Sequence, residues 1–386
     1  MSTLQDIRLP TWQDIRRFVQ DPEIVTAEIL FLILTLSNVF VMYRLFLDVV
    51  PYPVFVTWWQ LAQGLFMAWC LGETGKEFPK FAYFPRVELD KKLLKKLVVP
   101  AVVNALMLVL ANVVLYRTNC IATLPVTVSF AVVLHHVTRF IGCGEEYMPL
   151  RWQAVGMLML AFILGCTDAK TVGAQVLPWA VLYSIFSAAF RAAYLQKVMH
   201  EVDGRGNLLY NHQHVIGVIL LPVLCLLCGE YKILTSMPMN FTLLHTWQVW
   251  GCLVTVGALP FLKNIVSNRL IRRTGQGPWR FLEIVSIALV FLIGLGFGVP
   301  GWQGFICIIL VLAGRTFCAY DVIMNAAEVE AARETRGGGG PAPHELGDAN
   351  ELETGSQSSQ KPFLQAIEED GGENYSDIRD DEVTTS

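Results

Sequence analysis

Val202–Leu227 reads VDGRGNLLYNHQHVIGVILLPVLCLL, and its two halves obey different rules. The second half is apolar apart from one proline, whereas the first carries Asn211, His212, Gln213 and His214 in a row. An apolar run entered from a charged loop reads as a membrane helix, and four consecutive polar residues at its mouth need partners. Working outward, long apolar runs alternate with short polar connections through most of the 386 residues, and 54% of the residues are hydrophobic. A hydrocarbon core of ~30 Å takes about 20 residues per helix. That ruler gives ten spans, centred near Ile33, Leu65, Leu106, Val128, Leu160, Ser184, Leu220, Thr255, Leu289 and Ile309. The expected fold class is an all-α membrane protein, with the lipid bilayer as solvent.

Charge sets the expected orientation. The net charge of -4 conceals an asymmetry, because Asn325 to Ser386 holds fifteen acids and four bases. Basic residues gather after span two (GKEFPKFAYFPRVELDKKLLKK), after span six (KVMHEVDGRG) and after span eight (NRLIRRTGQGPWR). The positive-inside rule puts these connections and both termini in the cytosol. Residues 1–24 read as a cytosolic amphipathic leader without the build of a cleaved signal, so span one is an uncleaved anchor. Residues 25–325 read as one ten-helix membrane domain, and the acidic, glycine-rich stretch 326–386 reads as a disordered cytosolic tail.

Ten spans divide into five plus five, 25–170 and 171–325. An odd number per half forces the halves into opposite orientation, the inverted-repeat logic of secondary transporters. Pro100, Pro125, Pro178, Pro222 and Pro260 interrupt apolar runs, which is tolerated where neighbouring helices or a cavity satisfy the freed carbonyls. The nine cysteines show no metal-ligand spacing and mostly sit within spans as packing residues. There is no Walker loop, no glycine-rich dinucleotide fingerprint and no metalloprotease helix motif. The sequence therefore predicts neither an enzyme nor a bound cofactor or metal, and no nucleic-acid partner. It leaves a homodimer open.

Ionisable groups inside spans are costly and default to functional candidates. The deep ones are Arg191 in SAAFRAAYLQK, Lys263 beside Asn264 in ALPFLKNIVSN, Glu283 at the start of span nine, and Arg315 in LAGRTFCAYD. Amides within spans include Asn38, Gln60, Gln63, Asn104 and Asn112. His135 and His136 adjoin Arg139 and, pointing to different helix faces, read as an interfacial pair rather than metal ligands. Cations outnumber anions within the spans, which suits an anionic solute, and arginine suits phosphate because its fork makes bidentate bonds.

Several stretches resemble the nucleotide-sugar and triose-phosphate transporter family of the drug/metabolite transporter superfamily, and most nearly its GDP-fucose branch. They are SNVFVMYRLFLD with PVFVTWWQ, ELDKKLLKKLVVPAVVNALMLVLANVVLY, FILGCTDA, and YLQKVMHEVDGRGNLLYNHQHVIGVILLPVLCLLCGE. The likeness is collinear from about Ile24 to Val322. It implies ten helices as two inverted five-helix repeats, cytosolic termini, and a Golgi membrane location with the endoplasmic reticulum as the alternative. It also implies exchange of a cytosolic nucleotide sugar for a lumenal nucleoside monophosphate by alternating access.

In that family an aromatic-Tyr-Asn-Asn motif at the start of span seven contacts the nucleotide base. Tyr210 and Asn211 match its middle, Leu209 replaces the aromatic and His212 the second Asn. By helical spacing His214 shares a face with the matched pair. Asn112 and Gln60 match amides in spans three and two, Lys197 the lysine after span six, and Arg191 an arginine of triose-phosphate-like relatives. The chain departs from the family at span four (ATLPVTVSF) and at span nine (RFLEIVSIALV). There Glu283 would repel phosphate unless Arg280 or Arg272 pairs with it.

The expected substrate site thus comprises Tyr210, Asn211, His212, His214, Lys197, Arg191, Asn112, Gln60, Lys263 and Asn264. Alternative functions are an organophosphate or other organic-anion antiporter, and a transport-incompetent membrane adaptor acting through its tail.

Overall fold

The computed structural model describes residues 22–45, 50–78, 89–118, 123–143, 149–168, 172–193, 198, 201–202, 206–231, 243–274, 276–295 and 301–337. Ten long helices make up this part of the chain: α1 Pro22–Arg44, α2 Pro53–Glu77, α3 Lys91–Arg117, α4 Thr123–Cys143, α5 Pro149–Thr167, α6 Gly173–Ala193, α7 Gly206–Leu227, α8 Leu243–Thr274, α9 Gln276–Gly294 and α10 Trp302–Gly337. Each span centre expected from the apolar runs falls inside one of them. Among the described residues, nine of the ten contain a stretch long and apolar enough to cross a membrane; α9, which carries Arg280 and Glu283 near its start, is the other.

The outer faces are apolar. Val99, Ile141, Ile219, Leu227, Trp247 and Trp302 are all well exposed, a surface that is stable in lipid and not in water. Several hydroxyls within the spans are satisfied on their own helix: Thr57 donates to the Pro53 carbonyl at 2.7 Å, Ser129 to Pro125 at 2.7 Å and Ser184 to Ala180 at 2.8 Å, whereas the buried Oγ1 atoms of Thr35 and Thr127 have no hydrogen-bond partner among the described residues. Pro100, Pro178, Pro222 and Pro260 lie inside helices. Pro125 instead falls in the first turn of α4, where a missing N–H breaks no helical bond.

Helix packing follows a rule. α1 lies on α8 as α6 lies on α3, α2 lies on α8 as α7 lies on α3, and α4 lies on α5 as α9 lies on α10. Advancing every helix by five reproduces these pairs, and the seams α2–α7 and α5–α10 map onto themselves, the pattern of an inverted repeat. Other pairs break the rule: α4 packs broadly on α6 whereas α9 touches α1 sparsely, and α2 packs on α3 without a comparable α7–α8 contact among the described residues. The largest core joins α4, α5 and α10, with Phe130 stacked on Phe162 at 3.9 Å and Leu158, Ile308 and Val311 buried around them. On the α2–α8 face a Cβ at Gly257 would collide with the Gln63 amide, whose Nε2 donates to the Val254 carbonyl at 2.8 Å, so glycine permits this close approach.

The described structure departs from the sequence reading at the C-terminal side. α10 continues to Gly337, twelve residues past the expected domain end, because AAEVEAARETRG is rich in strong helix formers despite its charge. The rest of the tail, 338–386, and the leader up to residue 21 lie outside the described residues.

Candidate binding site

Two groups of polar side chains among the described residues stand out as candidates, both carried in part by α8. The first is built around the entrance of α7. Tyr210 and His214, one turn apart, stack with ring centroids 3.6 Å apart and planes at 28°. Phe261 of α8 tilts against Tyr210 at 5.8 Å. Gly64 of α2 makes room for the pair: a Cβ there would stand 2.5 Å from the Tyr210 hydroxyl and 3.4 Å from His214 Nε2. His214 Nδ1 bonds the Tyr210 carbonyl at 2.8 Å, so in the neutral ring Nδ1 carries the proton and Nε2 presents a lone pair toward Gly64. Asn211 is buried beside them.

His212 has a different neighbourhood. It is fully buried, its Nδ1 donates to the Leu208 carbonyl at 2.8 Å, and its Nε2 accepts the Asp90 backbone N–H at 3.2 Å. Asp90 is the N-cap of α3 and accepts from the Lys92 N–H at 2.8 Å. With both nitrogens engaged, His212 anchors α7 to the start of α3 and has nothing left to read a ligand with. Gln213 is also buried, and its Nε2 makes no hydrogen bond among the described residues.

Asn112 and Gln60 tie helices together. Asn112 Nδ2 donates to Thr57 Oγ1 at 2.8 Å and to Gln60 Oε1 at 3.2 Å, while Gln60 Nε2 reaches the Val256 carbonyl at 3.4 Å. This joins α3, α2 and α8, the interhelical bonding that amides commonly supply in membranes. Lys197 lies outside the described residues.

The second cluster is cationic. Lys263 of α8 places its Nζ over the Phe31 ring of α1 at 5.2 Å, and Phe31 meets Trp279 edge-on at 4.5 Å. Arg280 Nη1 stands 3.4 Å from Glu283 Oε2 on α9, the pairing that the sequence required. Arg191 of α6 and Arg315 of α10 lie within electrostatic reach of the same carboxylate and of each other, and Lys263 also senses it. Arg315 Nη2 approaches the Val128 carbonyl at only 3.5 Å, and its buried Nε has no partner among the described residues. Asn264 is half-buried next to Lys263.

Of the predicted site residues, Arg191 and Lys263 therefore converge here, and Tyr210, Asn211 and His214 converge on α7. Arg280, Glu283 and Arg315 complete the cationic group and were missing from the predicted site. Their signal was present as charge within apolar runs, but only the packing of α4, α6, α9 and α10 brings them together. The histidine pair lies near this group. His135 is 8% exposed, the Nδ1 atoms of His135 and His136 are both buried without partners, and His135 faces Arg191 and Arg280. α6 packs broadly on α4, and the His135 ring is covered by the bundle.

At the opposite end of the bundle a carboxylate performs a structural task. Tyr52 offers α2 no side-chain cap, and Glu230, just beyond α7, accepts the Phe55 N–H at 2.9 Å instead. Burial holds the Glu230 carboxyl above its ordinary range, and the Phe55 and Val54 N–H groups only partly oppose this.

With this geometry in place, known proteins give a direction. The chain is similar to GDP-fucose transporters. It is 24% identical over 230 residues to GDP-fucose transporter 1 of Dictyostelium discoideum, covering 58% of this chain and 59% of that protein. It is 24% identical over 225 residues to the GDP-fucose transporter of Caenorhabditis elegans, covering 58% and 60%. The chain thus matches less than two thirds of the length of these relatives. No family model matches it. The chain is a multi-pass, all-helical membrane protein.

Proposed function

We propose that this protein is a nucleotide-sugar transporter of the GDP-fucose-like kind, exchanging a cytosolic nucleotide sugar for a lumenal nucleoside monophosphate by alternating access. The observation that carries this reading is the convergence of Arg191, Lys263, Arg280 and Arg315 from four helices on a single carboxylate inside the bundle. Cations so placed are costly to desolvate and are offset by an anionic ligand, and guanidinium forks match phosphate oxygens. Tyr210, Asn211 and His214 are the groups that read the base or sugar. The halves 25–170 and 171–325 rock about the site, and bound substrate stabilises the occluded state. The membrane is that of the Golgi, or else of the endoplasmic reticulum, with both termini cytosolic. The two relatives' names support the substrate class.

The test is counterflow into proteoliposomes preloaded with one nucleoside monophosphate and offered labelled nucleotide sugars. Uptake of one base class that requires internal monophosphate and vanishes in Arg315→Ala is the expected result; uptake equal to protein-free vesicles for every nucleotide sugar would sink the reading.

A second reading is an organophosphate antiporter. It is favoured by the engagement of His212 with Asp90 and of the Tyr210 ring with His214, which leaves fewer groups for a base than for a phosphate. The same counterflow panel, extended to small organophosphates, separates the two. An adaptor without transport has no use for buried cations facing one another.

A further inference from the structure

Glu283 is an anomaly in a site built for anions. It shares a turn of α9 with Arg280, the two side chains are each a little over a third exposed, and their contact is a single one at 3.4 Å. Arg191, Lys263 and Arg315 come from three other helices and all lie within its reach. Among the described residues it is the one carboxylate acting on all three. Asp321, the acid nearest in sequence on α10, is bound to Arg151 at 2.9 Å.

We propose that Glu283 is a tethered stand-in for substrate charge, occupying the cation cluster while the site is empty and setting how much negative charge an incoming phosphate ligand brings. The inference rests on the anion-transport reading above. In a low-dielectric interior four cations without a counter-charge repel one another strongly, and an internal carboxylate lowers that cost in the empty carrier. The partly exposed, single-contact pair with Arg280 is open to competition, so an arriving phosphate displaces Glu283 from Arg280. With Glu283 present the four cations have one charge already compensated, and the cluster suits a ligand of modest charge. Without it, the cluster favours a more highly charged one.

The probes are inorganic orthophosphate and pyrophosphate, with affinities read from thermal stabilisation of the purified full chain. Glu283→Gln, close in shape and uncharged, is expected to bind pyrophosphate about tenfold more tightly than wild type and to gain less for orthophosphate. Glu283→Asp draws the charge back from Arg280 by one methylene and should move affinity in the same direction by a smaller factor, about threefold. It keeps the question decidable if the Gln variant does not accumulate. Pyrophosphate affinity that stays within about twofold of wild type, or falls, overturns the proposal. The probes carry neither base nor sugar, so the two ideas fail separately. A raised pyrophosphate affinity with no counterflow of any nucleotide sugar upholds the role of Glu283 and overturns the nucleotide-sugar reading. Normal counterflow with unmoved pyrophosphate affinity does the reverse.

Discussion

Arg151 at the start of α5 and Asp321 on α10 meet at 2.9 Å, with side chains only 16% and 7% exposed, locking the seam between these two helices. Removing one partner of a buried ion pair strands the other charge. Asp321→Asn is expected to destabilise the protein by about 3 kcal/mol, whereas the double change Arg151→Met with Asp321→Leu recovers most of that loss. Thermal unfolding in detergent measures both; equal destabilisation by the single and double variants would contradict the pairing.

Gly64 is where α2 accepts the Tyr210 hydroxyl, and the Tyr210 ring has little room to retreat between His214 and Phe261. Gly64→Ala should therefore cost about 1–3 kcal/mol of stability by overpacking. Trimming the hydroxyl with Tyr210→Phe in the same chain should restore part of it. A double-mutant cycle tests this, and strict additivity of the two changes is the contrary outcome.

The anchoring of His212 gives an opposite expectation for function. His212→Ala removes the acceptor of the Asp90 N–H and empties the site of a fully buried ring, and is expected to lower stability by about 1–3 kcal/mol. The rank order of nucleotides in counterflow should stay as in wild type. A changed base preference would return His212 to the ligand.

Glu230 predicts a pH effect with a definite sign. Its carboxyl is held above the ordinary range in the fold, so the native state binds its proton more readily than the unfolded chain does. Its contribution is complete below the ordinary glutamate range and is lost as pH rises through the raised value. Glu230→Gln removes this slope and should leave the variant less sensitive than wild type to raising pH across that window. Unfolding temperatures at a series of pH values decide it.

The helices were legible in the sequence because lipid imposes a length and a composition that apolar runs declare directly. The Arg280–Glu283 pairing was legible for a local reason, since residues three apart on a helix are neighbours. The site as a whole was not. Arg191, Lys263 and Arg315 lie far apart in the chain, and nothing in their own segments says that α6, α8 and α10 turn these residues toward α9. For the histidine pair, sequence position gives depth along a helix but not which face another helix covers, so the burial of His135 was not legible. His212 looked like a ligand group because its partner, the Asp90 backbone, carries no side-chain signature. The helical extension to Gly337 was obscured by acidity, which marks disorder in bulk composition yet is compatible with helix when alanine dominates.

The two seams that map onto themselves, α2–α7 and α5–α10, have a consequence for how variants partition between states. If the halves exchange conformations, a contact on the two-fold axis has the same partners before and after, so weakening it lowers the free energy gap to unfolding without tilting the balance of inward- and outward-facing populations. The pair α4–α6 and its sparse counterpart α9–α1 are the reverse case, unequal now and due to trade places. Substitutions there act as ballast on one side of a lever, and they are where transport rate can be tuned while the melting temperature stays put.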